Sequence, residues 1–192
     1  NCQNCGFTQV RLNGLDGAYS QILINNRAVF SALNSVYGLD QIPTNIVERI
    51  EVVRGGGSAL YGSNAIAGTI NIITREPLFN AWRVSSNYSL IGSESTDKSL
   101  NFNASVIEKD NRKSGMTLFG MMRNREAFDA NDDGFSEITQ LQSKTIGSKA
   151  FYRPSKSSKI NVDLSYINEK RRGGDRLSLE PHLTDITERL EH

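Results

Sequence analysis

Three stretches of the sequence carry residue types and spacings that could support chemistry. The stretch "RGGGSALYG" (54–62) places consecutive glycines after a β-rich run, a pattern that can hold phosphate on backbone N–H groups. Cys2 and Cys5 have the C-x-x-C spacing of a disulfide, redox or metal site. The stretch "DANDDGFSEITQ" (129–140) has the ligand spacing of a calcium loop.

The glycine-rich stretch lacks the groups that a nucleotide site needs. Gly57 and Gly62 have the gap of a P-loop, but Ser63 and Asn64 follow, so the phosphate-binding lysine is absent. The dinucleotide fingerprint also fails, because Leu60 stands where its third glycine should be and no long helix is predicted next. We therefore expect these glycines to permit a sharp turn and not to bind phosphate.

The cysteine pair is far in sequence from the two histidines, His182 and His192, so a four-ligand zinc site lacks its second pair. A redox pair usually precedes a helix, whereas "FTQVRLNGL" after Cys5 has the pattern of a strand. A short disulfide is the favoured interpretation, with a redox pair or two free thiols as the alternatives.

The acidic stretch is the one candidate for a bound cation. Its position twelve is Gln140, where a bidentate glutamate is usual, and no flanking helices are predicted. A polar loop rich in turn formers is the alternative to a Ca²⁺ site. The calcium-loop spacing is met by Asp129, Asn131, Asp133, Gly134 and Glu137.

Composition excludes several classes. The formal net charge of +1 gives no support for a nucleic-acid surface. No run approaches the roughly 18 apolar residues of a membrane helix, and no signal peptide is recognisable at Asn1. No Ser/His/Asp set, acid pair or Cys/His set stands at usable spacing, so we expect no enzyme activity.

The elements that must position these residues change in character near Pro77. Before it, glycine is dense and short strands are mixed with one helical turn, which predicts a small α+β module. The predicted strands are 8–15, 20–30, 48–54 and 68–74, and the helical turn is 43–47.

After Pro77, five stretches alternate apolar and polar residues with period two. Strands of roughly nine to twelve residues are longer than the five or six typical of a soluble sandwich, and they fit an outer-membrane β-barrel. Short polar turns join some of them, and a longer loop precedes the fourth, an asymmetry typical of such barrels. The predicted strands are 81–91, 99–107, 115–128, 145–152 and 159–170.

The stretch "VERIEVVRGGGSALYGSNAIAGTINIITREP" (47–77) resembles the plug domain of TonB-dependent outer-membrane receptors, whose pattern is "IERIEVVRGPxSALYGxxAxGGxINIITK". It departs at Gly56, Ala67 and Arg75, and none of these changes removes a functional group. The resemblance covers 7–77 by motif and 78–170 by the general barrel pattern.

The resemblance implies a plug (1–77) inside a barrel of about 22 strands, of which 78–192 hold the first five or so. It implies a fragment without the N-terminal TonB box and most of the barrel. The implied function is TonB-driven import of an iron–siderophore, haem or cobalamin across the bacterial outer membrane, without chemistry on the cargo. A soluble or surface-attached binding or adhesion module is the alternative.

The implied partners are TonB, a small-molecule or metal-chelate cargo and outer-membrane lipid, with a surface lipoprotein as a further candidate and no nucleic acid. Within the family, three plug apices touch the ligand in several members. By position, this carries ligand contact onto Tyr61 and Ser58, although Tyr61 could instead pack against the barrel wall. The other apices, at 2–7 and 30–37, add Phe7, Phe30 and Tyr37, and a Cys2–Cys5 bond would rigidify one of them.

The resemblance also assigns a role to charges in the strand before the glycines. Arg49, Glu51 and Arg54 are expected to pair with the inner barrel wall and hold the plug. A solvated face in a wet lumen is the alternative.

Overall fold

The computed structural model describes residues 10–15, 17–28, 42–55, 61, 65–180, 183–184 and 187–191. It divides into two compact units, with the boundary between Arg75 and Glu76. The expected fold class is confirmed: a mixed sheet of the plug type is followed by long antiparallel strands.

The first unit is a four-stranded sheet with the order β2-β1-β4-β3. Strand β1 runs parallel to β4, and the other neighbours are antiparallel. Short 3₁₀ turns precede β1 and β3, at Gly17–Tyr19 and Thr44–Ile46. The strands are β1 (Ser20–Ile24), β2 (Arg27–Ala28), β3 (Val47–Arg54) and β4 (Gly68–Thr74).

The core of this unit is the central strand β4. Six of its seven residues are buried, because β1 and β3 cover its two edges and side chains pack on both of its faces. Ile70 and Ile72 contribute the large apolar side chains, and Leu23 of β1 is 1% exposed beside them. This explains why "GTINIIT" has no clean alternation: both faces of the strand are covered.

Two predicted strands of this unit were wrong. Within 10–15, the chain makes a tight turn at Asn13 and Gly14, whose φ angles are 53° and 77°, closed by a bridge from Leu12 to Leu15. Within the predicted strand 20–30, residues 20–28 form a hairpin that reverses at Asn25 and Asn26, with φ angles of 50° and 64°. Asparagine tolerates this left-handed conformation and suits the two-residue turns of hairpins, so the Asn-Asn pair was the signal.

The second unit is a six-stranded antiparallel sheet in sequence order from β5 to β10. Its strands are longer than those of the first unit, up to 17 residues. The bounds are β5 (Ala81–Ile91), β6 (Ser95–Ile107), β7 (Ser114–Arg125), β8 (Gln140–Ser155), β9 (Ser158–Gly174) and β10 (Thr187–Glu191).

The structure extends the predicted barrel segment in two places. Strands β8 and β9 have 16 and 17 residues and continue beyond the predicted 145–152 and 159–170, because their polar ends still pair through Leu141 and Arg171. Strand β10 is a sixth strand in a segment predicted to be irregular, and it pairs Thr187 with Gly174. Periodicity missed both features because apolar side chains are sparse there.

Alternation gives the second sheet two distinct faces. Even-numbered side chains of β5–β9 form an exposed face, where Trp82 is 79% and Leu164 is 66% exposed. Odd-numbered side chains include buried groups such as Thr117, Phe119 and Glu169. In the described part of the chain, no helix has the length and apolar character needed to cross a membrane.

The even-numbered face carries a continuous apolar band. Cross-strand pairing sets Val84 beside Phe102, and Ile146 beside Tyr166. A neighbouring row sets Leu100 beside Met122. We call this exposed surface the apolar band, and its members are Trp82, Val84, Leu100, Phe102, Val106, Met116, Leu118, Met122, Ile146, Ala150, Ile160, Val162, Leu164 and Tyr166.

Candidate functional site

The base of the glycine-rich stretch is set by two glycines that the fold requires. Gly55 leaves β3 with a φ of 91°, and its N–H donates to Ala67 O at 3.1 Å. Gly68 starts β4 with a φ of 146°, and a Cβ atom there would lie 2.4 Å from Val53 O. Because only glycine permits that approach, these two positions close the ends of the loop against each other.

Tyr61, in the same stretch, is half-buried and has helical backbone geometry. Its immediate loop neighbours, 56–60 and 62–64, lie outside the described residues. Contact between Tyr61 and a ligand therefore stays a prediction. The other predicted apex residues and the cysteines also lie outside the described residues: Ser58, Phe7, Phe30, Tyr37, Cys2 and Cys5.

The charges predicted to hold the plug make contacts along their own strand. Arg49 donates from Nε to Glu51 Oε1 and from Nη1 to Glu48 Oε1, each at 2.8 Å. The Glu51 hydrogen bond is the largest cause that raises the pKa of Arg49 above its usual value. Arg54 is exposed at the end of β3. Pairing of these residues with a barrel wall stays a prediction.

Glu51 also joins a polar network that sequence reasoning missed. Its Oε2 accepts from Asn71 Nδ2 at 3.1 Å, and the same Nδ2 donates to Asn26 Oδ1 at 2.7 Å. Asn26 N–H donates to Asn71 Oδ1 at 3.0 Å. The other turn residue, Asn25, accepts from the Thr74 N–H at 3.0 Å. The β1–β2 turn is thus fixed to β4, and Glu51 is positioned by it.

The acidic loop between β7 and β8 brings three carboxylates together. Ligand oxygens of Asp129, Asp133 and Glu137 all lie within 4.8 Å of one another. Such a group of exposed or half-buried oxygens has the chemistry that Ca²⁺ prefers. Gln140, at position twelve, is the first residue of β8.

Hydrogen bonds within the loop hold those carboxylates in place. Asp129 accepts from the N–H groups of Asp132 (2.8 Å) and Gly134 (2.7 Å). Glu137 Oε2 accepts from the Ala130 N–H at 2.7 Å. Asn131 uses its Nδ2 to donate to Asp133 Oδ2 at 3.0 Å, so its amide supports a carboxylate. The predicted residues therefore meet in one loop.

The odd-numbered face of the second sheet carries ion pairs that sequence reasoning did not single out. Arg123 donates to both oxygens of Asp97, at 3.0 and 2.6 Å. Arg171 donates to Glu169 at 2.5 Å, and their side chains are 3% and 1% exposed. The signal was present in the sequence: these charges share the parity of the serines and asparagines predicted to be polar.

A second cluster joins the start of the second unit to the β8–β9 hairpin. Glu76 accepts from Arg153 Nη2 at 2.7 Å and also pairs with Lys159. Burial acts to raise the pKa of Glu76, but the hydrogen bonds and charges of Lys159 and Arg153 outweigh it and hold that pKa below its usual value. The Arg153 guanidinium lies over the Phe151 ring, with its central carbon 4.3 Å from the ring centre.

Residues 1–69 match the family described as TonB-dependent Receptor Plug Domain. The chain is similar to the vitamin B12 transporter BtuB of Photobacterium profundum (42% identity over 67 residues, 35% of this chain and 11% of that protein). It is also similar to the vitamin B12 transporter BtuB of Vibrio vulnificus (42% over 65 residues, 34% and 11%). The chain thus spans about a tenth of the length of these curated relatives.

Solved structures resemble the chain over most of its length. The siderophore receptor PirA of Acinetobacter baumannii has a TM-score of 0.71 at 20% identity, covering 93% of this chain and 28% of that one. A variant of the ferric enterobactin receptor PfeA of Pseudomonas aeruginosa has 0.69 at 19% identity, covering 85% and 27%. At such identities the likeness shows the fold, and it extends beyond the plug into the long antiparallel strands.

Proposed function

We propose that this chain, whose residues 1–69 are a TonB-dependent receptor plug domain followed by barrel strands, belongs to a receptor that imports a scarce nutrient across the bacterial outer membrane. Import would be coupled to TonB, and the cargo would pass without being chemically changed. The proposal is one of transport and not of catalysis.

The observation that carries the proposal is the plug sheet joined in one chain to a sheet with an exposed apolar face. A sheet of 11- to 17-residue strands from β5 to β9 is long enough for the hydrocarbon region, since a tilted spanning strand needs about 9–11 residues. The apolar band supplies the lipid-facing side, and the ion pairs Arg123–Asp97 and Arg171–Glu169 lie on the other face. Alternation of this kind is what a membrane barrel requires.

For the cargo, we propose a cobalamin or an iron–siderophore, with haem as the third candidate. The similar proteins are named as vitamin B12 transporters and siderophore receptors, and both cargo types are bulky metal chelates. We assign cargo contact to the plug apices, with Tyr61 and Ser58 on the glycine-rich loop. The closed base at Gly55 and Gly68 supports this role, because it brings the two ends of the glycine-rich stretch together.

For the plug, we propose that Arg49, Glu51 and Arg54 pair with the inner barrel wall. Their exposure along β3 leaves them accessible to such a partner. The network through Asn71 and Asn26 would keep Glu51 in a fixed position for that contact.

We also propose that the loop of Asp129, Asp133 and Glu137 binds Ca²⁺. Three carboxylates with oxygens within 4.8 Å repel one another, and a divalent cation would relieve that repulsion. Asn131 and backbone carbonyls are further oxygen donors of the same loop. Calorimetry with the complete receptor should show Ca²⁺ binding, and no heat at millimolar Ca²⁺ would exclude it.

The function is tested by growth of a deletion strain that carries the complete receptor on a plasmid. One medium supplies cobalamin at limiting concentration, and the others supply iron only as a ferric siderophore or as haem. Rescue in one medium that disappears in a strain without TonB is the expected result. Rescue that persists without TonB, or recovery of the protein in the soluble fraction, would overturn the proposal.

A further inference from the structure

The exposed face of the second sheet changes from apolar to basic near one end of its strands. Lys144 of β8 pairs with Met122 in the row that also holds Leu100, Lys98 stands in the next row toward that end of the strands, and both lysines are exposed. Lys98 lies beside Asn124, which lies beside Gln142, and Gln142 lies beside Lys170. Lys98 and Lys144 therefore stand on one face, directly next to the apolar band, whereas Lys170 is paired in register with Glu191 of β10.

Within strands β5–β9, the neighbours of Lys98 and Lys144 on this face carry no negative charge. The even-numbered strand residues at this end of β5–β9 are Ser, Tyr, Leu, Thr, Lys, Met, Asn, Gln, Arg and Gly, and none is acidic. Glu126, which follows β7, is the carboxylate that interacts with Lys98: it accepts from the Thr96 N–H and hydroxyl at 2.8 and 2.9 Å, and it is also attracted by the Lys98 charge. Two lysines, Lys98 and Lys144, stand against the one carboxylate of Glu126, so the patch keeps a net positive charge.

An aromatic ring and a groove complete the patch. The Lys98 ammonium lies 5.6 Å from the ring centre of Tyr88, which is exposed on the same face. Tyrosine is enriched where an apolar surface meets lipid headgroups. A groove of about 580 Å³ is bordered by Tyr88, Lys98, Leu100, Met122 and Lys144. Its border therefore combines ammonium groups with apolar side chains.

We infer that this patch is a binding site for a phosphate-bearing lipid of the outer leaflet, with the lipid phosphate held by Lys98 and Lys144 and an acyl chain lying against Leu100 and Met122. This rests on the proposed function, because the face meets lipid only if the sheet is part of a membrane barrel. Charge complementarity selects an anionic headgroup, and the adjoining apolar band selects a lipid over a free phosphate.

The position of the patch supports the outer leaflet. It lies at the end of the strands that carries the 126–139 loop together with the tight β5–β6 turn, while the β6–β7 and β8–β9 connections, both shorter than that loop, lie at the other end. In outer-membrane barrels the longer loops are extracellular and the short turns periplasmic.

Native mass spectrometry of the complete receptor in detergent tests the site. The probes are lipid A, which carries two phosphates, and phosphatidylcholine, whose headgroup has no net charge; glucosamine 1-phosphate is the headgroup without chains. We expect retention of lipid A, and at least a tenfold loss of its affinity in the Lys98→Gln/Lys144→Gln variant. The matched control is Lys109→Gln/Lys113→Gln, which removes the same charge from the exposed β6–β7 turn and should bind lipid A normally.

Equal loss in both double variants would overturn the inference, because binding would then depend on net charge. Equal retention of phosphatidylcholine, or of glucosamine 1-phosphate, would also overturn it, since the first needs no anion and the second needs no lipid. The Lys98→Arg/Lys144→Arg variant should retain lipid A, and its failure to do so would count against the site. If the Lys98→Gln/Lys144→Gln variant both imports the nutrient and binds lipid A as the wild type does, this inference alone fails and the proposed function stands. A receptor found in the soluble fraction would overturn both proposals.

Discussion

Asn71 and Asn26 hold each other by two reciprocal hydrogen bonds, of 2.7 and 3.0 Å, although 45 residues separate them. The pair fastens the β1–β2 turn to the buried central strand β4 and leaves Asn71 able to donate to Glu51 at 3.1 Å. Its position between the sheet core and the charged surface of β3 makes Asn71 a structural residue of the first unit.

Asn71→Ala should therefore loosen the β1–β2 turn. A part-buried polar pair that loses one member costs about 1–3 kcal/mol. Hydrogen exchange of the complete receptor should show faster exchange at 20–28 in the variant, and Asn87→Ala on exposed strand β5 is the matched control. Unchanged protection of this hairpin would show that the two hydrogen bonds do not hold it.

Gly68→Ala should destabilise the plug more than Gly14→Ala does. Both glycines have positive φ angles, but a Cβ at Gly68 would lie 2.4 Å from Val53 O, whereas nothing lies within 4 Å of one at Gly14. The strain of φ is thus shared, and the clash is specific to Gly68. Thermal unfolding of the two variants compares them, and equal melting temperatures would contradict the account of a closed loop base.

The Glu76 cluster predicts a pH dependence of stability. Its hydrogen bonds with Lys159 and Arg153 lower the folded-state pKa below the usual value of 4.5. Such a group adds stability that is fully present above the unfolded pKa and is lost as the pH falls through the lower, folded value. The difference in melting temperature between the wild type and Glu76→Gln should be constant from pH 6 to 8 and shrink below about pH 4.5.

Glu94→Gln, in the β5–β6 turn, is the control for that pH series. If both substitutions give the same pH profile, the effect arises from overall charge and not from the cluster. The double pairing of Glu76 would then have no measurable role in stability.

Asp133→Asn should weaken Ca²⁺ binding at the acidic loop by at least tenfold, because it removes one of three charged ligands. The neighbouring Asp132→Asn is the control: it removes the same charge, but Asp132 is not part of the cluster within 4.8 Å. Calorimetry measures both affinities. Equal weakening would indicate a diffuse charge effect and no defined site.

Arg123 and Asp97 should be energetically coupled. The two hydrogen bonds between them are partly buried, so a double-mutant cycle with Arg123→Met and Asp97→Asn is expected to give a coupling of about 0.5–3 kcal/mol. The cycle is measured by unfolding of the complete receptor in detergent. Additive effects would show that the pair contributes little to the sheet.

Much of the second unit could be predicted from sequence because one physical rule governs it. Each strand has to present apolar groups at every second position, so Val162, Leu164 and Tyr166 identified β9 without any structural knowledge. The rule gives no signal at the strand ends, where alternate side chains are not apolar. The polar starts of β8 and β10 are held by backbone pairing, which leaves no periodic mark in the sequence.

The first unit was harder to predict because its decisive features are local backbone geometries. The turn at Asn25 and Asn26 depends on positive φ angles, and its anchoring to Thr74 and Asn71 joins residues more than 40 positions apart. In the acidic loop, by contrast, all the predicted ligands lie within nine residues of sequence, and the structure brings its three carboxylates together. The sequence therefore predicted the grouping of side chains that are close along the chain, but it did not predict hydrogen bonds between distant polar residues.

Strict alternation in β5–β9 has a consequence for how this chain can change length. Inserting one residue after Gly120 would exchange the parity of the remaining residues of β7, turning Met122 away from its exposed side and Arg123 toward it. An insertion of two residues restores the parity, and the 126–139 loop can absorb either. Among homologous sequences, insertions and deletions within the strands should therefore contain an even number of residues, whereas those in the 126–139 loop can have any length.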